Sequence, residues 1–215
     1  MSIEDMRTKY TNSGLSERDL DPEPVRQFAV WFNEAVRANP GHGFEANMMT
    51  LATSSPDGLP SARTVLLKEF DQRGFVFYTN YRSPKALDLA ANPRAALVFH
   101  WPVLKRQVRI TGTVSKISRA ESEAYFRCRP RGSQLGAAVS DQSRVLNDRA
   151  ELERKLTELD QQLAGGNVPM PADWGGYRLA PDWIEFWQGR TNRLHDRFRY
   201  KGLTDGAWKI ERLAP

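Results

Sequence analysis

Ser61-Ala62-Arg63-Thr64-Val65-Leu66-Leu67-Lys68-Glu69-Phe70, then Asp71-Gln72-Arg73-Gly74, then Phe75-Val76-Phe77-Tyr78-Thr79 is the stretch on which the fold turns. Its first and last pieces carry β-branched and aromatic residues, which suit a pleated, half-buried surface. The middle piece has turn chemistry and ends on Gly74. A connection this short joins antiparallel neighbours. Strand, tight turn and strand therefore place an antiparallel sheet at the heart of the chain.

The same punctuation extends outward. Asn47 to Thr53 reads as a strand joined to Ser61–Phe70 through Pro56-Asp57-Gly58. Before it, Val25, Phe28, Phe32, Ala35 and Val36 fall at helical spacing between Pro22 and Asn39, and Asn39-Pro40-Gly41 closes that helix. After it, Ser83-Pro84-Lys85 opens a short helix to about Ala91, with serine at the N-cap and proline at the first helical position. Ala95–Trp101 and Gln107–Ile117 are further strands. Ser118-Arg119-Ala120-Glu121 is a capping box opening a helix to about Cys128. Arg129-Pro130-Arg131-Gly132 breaks it, and a loop is expected past Gln142-Ser143. Leu152, Leu156, Leu159 and Leu163 form the apolar stripe of a helix over Asp148–Ala164. Strands fill the remainder from Gly175 to Leu213. The expected class is mainly β (α+β), an antiparallel barrel with peripheral helices.

With 215 residues, 40% hydrophobic and 27% charged, the composition is globular. The first twenty residues are polar and expected to be mobile, and residues 21–215 are expected to form one domain. A net charge of +5 favours anionic partners, whether nucleic acid, anionic lipid or phosphorylated small molecules. A solvated basic surface is the commoner source of so modest an excess. Cys128 is the only cysteine, which excludes an internal disulfide and fits a cytoplasmic setting. No apolar run suggests a signal peptide or a membrane span, so no membrane partner is expected. His42, His100 and His195 lie far apart without metal-ligand spacing, so no metal is expected.

Four clusters could carry chemistry. Glu185-Phe186-Trp187-Gln188-Gly189-Arg190-Thr191-Asn192-Arg193-Leu194-His195-Asp196-Arg197 gathers an indole, arginine forks and a histidine. It reads either as a ligand site or as a charged strand end. Arg63 and Lys68 lie five apart on one strand, so regular alternation sends them to opposite faces. Either the strand is bulged or they meet different ligand groups. Ser83-Pro84-Lys85 could bind a phosphate at a helix N-terminus or be a plain cap. Arg127-Cys128-Arg129-Pro130-Arg131-Gly132-Ser133 could be a nucleic-acid patch, but no nucleic-acid-binding signature accompanies it. Dinucleotide, phosphate-loop and nucleophile-elbow motifs are absent.

Taken in order, Arg63–Lys68, Phe77-Tyr78-Thr79-Asn80, Arg106-Gln107-Val108, Arg129-Pro130-Arg131, Gln142-Ser143, Phe186-Trp187-Gln188-Gly189 and Arg193-Leu194-His195-Asp196-Arg197 resemble the pyridoxine/pyridoxamine 5′-phosphate oxidases, from about Arg7 to Pro215. The resemblance implies an FMN-binding split β-barrel and a homodimer with FMN at the interface. It implies oxidation of pyridoxine or pyridoxamine 5′-phosphate by oxygen to pyridoxal 5′-phosphate and hydrogen peroxide. By position, FMN would meet Arg63, Thr64, Val65, Leu66, Leu67, Lys68, Tyr78, Thr79, Lys85, Gln107, Gln142, Ser143, Trp187 and Arg197. The substrate phosphate would meet Lys68, Tyr125, Arg129 and Ser133, while Arg193, Leu194 and His195 would hold its pyridine end. Arg193 and His195 are the implied catalytic residues, and Arg7 and Tyr10 match a segment that closes over substrate in the family. The family usually has Ser-Arg-Lys where this chain has Ser83-Pro84-Lys85, and Thr8-Lys9 replaces the usual Arg-Glu. A sister split-barrel oxidase of phenazine type, or a non-enzymatic flavin- or nucleic-acid-binding barrel, are the competing readings.

Overall fold

The computed structural model describes residues 2–3, 14–41 and 43–215. Arg7, Tyr10 and His42, together with most of the segment expected to be mobile, lie outside the described residues. Among the described residues, nine strands form one sheet in which every pairing is antiparallel. The elements run α1 (Pro24–Arg37), β1 (Met48–Ser54), β2 (Pro60–Leu66), β3 (Glu69–Asp71), β4 (Gly74–Asn80), α2 (Pro84–Ala91), β5 (Arg94–Trp101) and β6 (Arg106–Lys116). They continue with α3 (Arg119–Cys128), α4 (Arg131–Val139), α5 (Arg149–Leu163), β7 (Trp174–Gln188), β8 (Asp196–Gly202) and β9 (Trp208–Leu213).

The sheet order is β2-β1-β5-β6-β7-β4-β3, with β8 on β7 and β9 on β8. Two features curl it into a split barrel. The long β7 pairs with β4 through Trp174–Leu179 and with β8 through Trp183–Gln188, while β6 runs along its other edge. A bulge in β7, where Asp182 is the extra residue opposite Thr111/Gly112 of β6, bends this ribbon. The stretch expected as one strand from Ser61 to Phe70 is broken at Leu67-Lys68. Its first half pairs with β1 and its second with β4, so a single extended segment bridges the two ends of the sheet. The amide of Leu67 reaches the carbonyl of Asn47 at 2.8 Å, and that of Lys68 reaches Val76 at 2.9 Å. Gly74 closes the β3–β4 turn at φ +129°, where a Cβ would strike the Leu179 carbonyl.

α1 plugs the barrel. Its apolar stripe carries Phe28, fully buried and edge-on to Phe70, Phe75 and Phe99 with centroids 4.9–5.0 Å away. Trp31 meets Phe186 edge-on at 5.2 Å. Such aromatic contacts add ~0.5–1.5 kcal/mol each beyond the burial of area. Phe28→Ala should therefore cost ~3–5 kcal/mol. A second apolar cluster of Phe126, Leu135, Val168 and Trp174 is roofed by Leu156, Leu159 and Leu163, the stripe of α5.

One expectation needs correction. The loop foreseen after Arg129 contains α4, whose first turn hydrogen-bonds back from Ser133 and Gln134 to the Pro130 carbonyl. Gly132 and Gly136 lower its intrinsic propensity, but the burial of Leu135 against Phe126 and Trp174 compensates. Leu15 is packed into the core, its amide reaches Asp196 at 3.0 Å, and Glu17 pairs with Arg212 at 2.9 Å. Contacts with the barrel thus begin before residue 20. No described helix is long and apolar enough to cross a membrane.

Candidate active site

The break between β2 and β3 leaves a gap beside β4, and a cavity of about 570 Å³ opens there. That volume suits a phosphorylated aromatic ligand. β2 and the residues after it supply Arg63, Thr64, Val65, Leu66 and Lys68, and the end of β4 supplies Tyr78 and Thr79. α2 brings Lys85, α3 brings Tyr125, and Arg129, Ser133 and Gln142 come from α4 and its flanks. Arg63 and Lys68 thus face one cavity, because the chain changes partner between them. Leu67 is buried in the core, and its amide and carbonyl are both engaged by Asn47. Asn80, quoted in a motif but given no ligand role, completes the wall together with Trp174, Gly136, Ala137 and Ser140, which the sequence did not single out.

At one end, Lys85 Nζ donates to Gln142 Oε1 at 2.9 Å and to Thr79 Oγ1 at 3.3 Å. Thr79 Oγ1 also donates to Gln142 at 2.9 Å. Burial, and then the charge of Arg63, lower the proton affinity of Lys85. Ser83 occupies the N-cap of α2 but makes no side-chain cap there; its hydroxyl instead donates to the Asn80 carbonyl at 2.8 Å. Two cations that repel each other among neutral partners make a place for an anion.

At the other end, Tyr78, Tyr125 and Trp174 stack nearly parallel, with centroids 4.0 Å and 5.2 Å from Tyr78. Burial, then Glu69, push the Tyr78 phenol up to about 12, so it stays protonated. The Arg129 guanidinium lies 4.9 Å over the Trp174 ring. Its Nη1 is buried and, among the described residues, is the one buried side-chain nitrogen or oxygen without a hydrogen-bond partner. Burial lowers its proton affinity. A buried charged donor left unmatched is costly unless a ligand completes it. Both ends of the cavity therefore fit phosphate, which suits FMN together with a second phosphorylated molecule.

Gln107, Ser143, Trp187, Arg193, Leu194, His195 and Arg197 do not line this cavity within the protomer. Gln107 sits opposite Trp187 in the β6–β7 ladder. Past β7 the backbone turns through Asn192 and Arg193, both left-handed at φ +54° and +60°. The Arg190 amide donates to His195 Nδ1 at 3.0 Å, and the imidazole lies 4.6 Å from the Trp187 ring. That bond assigns the proton of the neutral ring to Nε2. Burial, then Arg193, lower the imidazole pKa, while Asp196 opposes them. Arg197 donates to the buried Glu185 at 2.8 Å and to the Ala214 carbonyl at 2.8 Å. Asp196 pairs with Arg190 at 3.2 Å and Arg212 at 3.0 Å.

The curled antiparallel sheet and its cation-lined cavity are those of the FMN-binding split barrels. Residues 33–163 match the family described as pyridoxamine 5′-phosphate oxidase, and residues 174–215 match the pyridoxine 5′-phosphate oxidase C-terminal dimerisation region. The chain belongs to the pyridoxine/pyridoxamine 5′-phosphate oxidase family. A curated relative of that name from Gloeothece citriformis is 56% identical over 100% of this chain and 99% of its own length. One from Rubrobacter xylanophilus is 56% identical over 98% of this chain and 95% of its own. Among solved structures, PhzG from Burkholderia lata 383, in complex with tetrahydrophenazine-1-carboxylic acid, gives a TM-score of 0.85 at 29% identity, covering 92% of this chain and 95% of that one.

Proposed function

We propose that the protein oxidises pyridoxine or pyridoxamine 5′-phosphate to pyridoxal 5′-phosphate, using FMN and reducing oxygen to hydrogen peroxide. The amine substrate also takes up water and releases ammonia. The observation that carries this reading is Arg129 Nη1, buried and unpartnered beside Lys68, Tyr125 and Ser133 in one cavity. A substrate without phosphate would have no use for that donor. Lys85, Arg63, Thr79 and Gln142 would hold the FMN phosphate at the opposite end. When bound, FMN supplies the two-electron oxidation and the reaction with oxygen. The protein supplies placement, to which hydride transfer is very sensitive.

Arg193 and His195 are assigned to the pyridine end of the substrate. The lowered pKa of His195 keeps its ring neutral near pH 7, with Nε2 as the protonated position. These residues lie off the cavity of their own protomer and inside the stretch matching the dimerisation region. The active site is therefore read as composite, with the 187–197 segment of one protomer completing the cavity of its partner. A cytoplasmic location fits the single cysteine.

Purified protein should be yellow, and adding pyridoxine 5′-phosphate should produce oxygen uptake and aldehyde. A yellow protein that ignores this substrate and oxidises a dihydrophenazine instead would favour the phenazine-type reading. Arg193→Ala and His195→Ala should lower turnover while the protein stays yellow; full activity in both would remove the segment from the substrate site. Mixing Lys68→Ala with His195→Ala protomers under subunit exchange should restore activity. Failure to do so would break the composite site.

A further inference from the structure

We infer that Thr53, a buried β1 residue outside the cavity lining, is a positioning residue that sets Arg63 for the cofactor phosphate and so selects phosphorylated over unphosphorylated flavin. The inference rests on placing that phosphate at Arg63 and Lys85. Thr53 lies opposite Ser61 in the β1–β2 ladder, and its side chain is enclosed. Its hydroxyl does two things at once. It donates to Asp88 Oδ2 at 2.6 Å and accepts from Arg63 Nη1 at 2.8 Å.

A hydroxyl has one proton to give. Once Asp88 takes it, the oxygen lone pairs are left for the guanidinium. The Arg63 fork is held on two further sides, by the Leu51 carbonyl at 3.2 Å and by Ser61 Oγ at 2.6 Å. All three contacts use neutral oxygens, and the Asp88 carboxylate acts on Arg63 only from behind the Thr53 hydroxyl, so the positive charge of Arg63 is oriented and only partly offset. Asp88 sits three residues after Lys85 on α2, the helix that carries the second cation. The Thr53 hydroxyl therefore joins β1, β2 and α2 at one atom and fixes the distance between the two charges that would grip the phosphate. Bidentate arginine contacts depend on that orientation.

The test compares the affinity of flavin-free protein for FMN and for riboflavin by quenching of flavin fluorescence. Thr53→Val keeps the branched shape suited to a buried strand position and removes the hydroxyl, while Thr53→Ser keeps the hydroxyl. Thr53→Val is expected to bind FMN about tenfold more weakly, the loss of a charged hydrogen bond, with riboflavin affinity unchanged. Thr53→Ser is expected to match wild type for both flavins. Unchanged FMN affinity in Thr53→Val would overturn the inference, as would an equal loss for both flavins, which marks a general packing defect. Arg63→Ala serves as the reference. If it leaves FMN affinity intact, the phosphate is not at Arg63, and both the placement and the role of Thr53 fall.

Discussion

The cavity and the C-terminal hairpin are both rich in arginine, but they treat it differently. In the hairpin, Arg190 and Arg212 share Asp196, Arg212 also holds Glu17, Arg197 holds Glu185, and Arg199 holds Glu211. In the cavity, among the described residues, Arg129 has a buried nitrogen with no partner, and Arg63 and Lys85 hydrogen-bond only to neutral oxygens. The hairpin uses its guanidinium groups to fasten β8 and β9 to the barrel. The cavity keeps its cations for ligands. Arginine content alone would have ranked the hairpin higher as a phosphate site.

The largest expected effect sits at the unpartnered cation. Arg129→Met should lower kcat/KM for pyridoxine 5′-phosphate by ~100-fold, the scale of a buried charge-assisted bond to phosphate. The same variant should not lower the urea midpoint of the flavin-free protein, since an unmatched buried donor is removed. A marked loss of stability would place Arg129 with the structural arginines and dissolve the contrast. In the hairpin the expectation reverses. Glu185→Ala leaves Arg197 without its buried carboxylate and should cost ~2–3 kcal/mol in urea unfolding. Near-neutral stability would mean that this pair does not fasten the hairpin.

A smaller effect concerns Pro84. It fills the first turn of α2 without a backbone donor, where the family usually has an arginine. Pro84→Arg should tighten FMN binding by roughly threefold, a modest gain for an exposed charge. Unchanged affinity would show that the cation pair already suffices. The smallest effect belongs to exposed hairpin pairs. Arg212 holds the Glu17 carboxyl down to about 2, and Arg199 does the same for Glu211. A depressed carboxyl stabilises the fold above its ordinary value of 4.5, and that contribution is lost as pH falls from there toward about 2. Melting temperatures of Arg199→Gln and Arg212→Gln should therefore fall less steeply than wild type across this window. Parallel slopes would show that the pairs add nothing measurable.

Much of the fold was legible because its signals are local. Aromatic and β-branched residues and turn chemistry marked β4 and its hairpin, helical spacing marked α1, and the capping box of Ser118 and Glu121 opens α3 as expected. α4 was not legible, since two glycines mask a helix that rests on the burial of Leu135. The cavity residues were legible mainly as an ordered series of motifs. Trp174 gave no local signal, because its role depends on stacking with Tyr78 and Tyr125 from other elements. The apparent conflict between Arg63 and Lys68 disappears only when β2 leaves β1 and the chain joins β4.

By itself the sequence determined most element types, the antiparallel pairing of strands joined by tight turns and the kinds of side chain available for phosphate, because spacing and turn chemistry act between near neighbours. The tertiary structure alone decided which cations are neutralised. Arg212 finds Glu17 across 195 positions, whereas Arg129 finds no acceptor for Nη1 among the described residues. Charge pairing depends on distance and burial in space, and neither is written in the separation of residues along the chain.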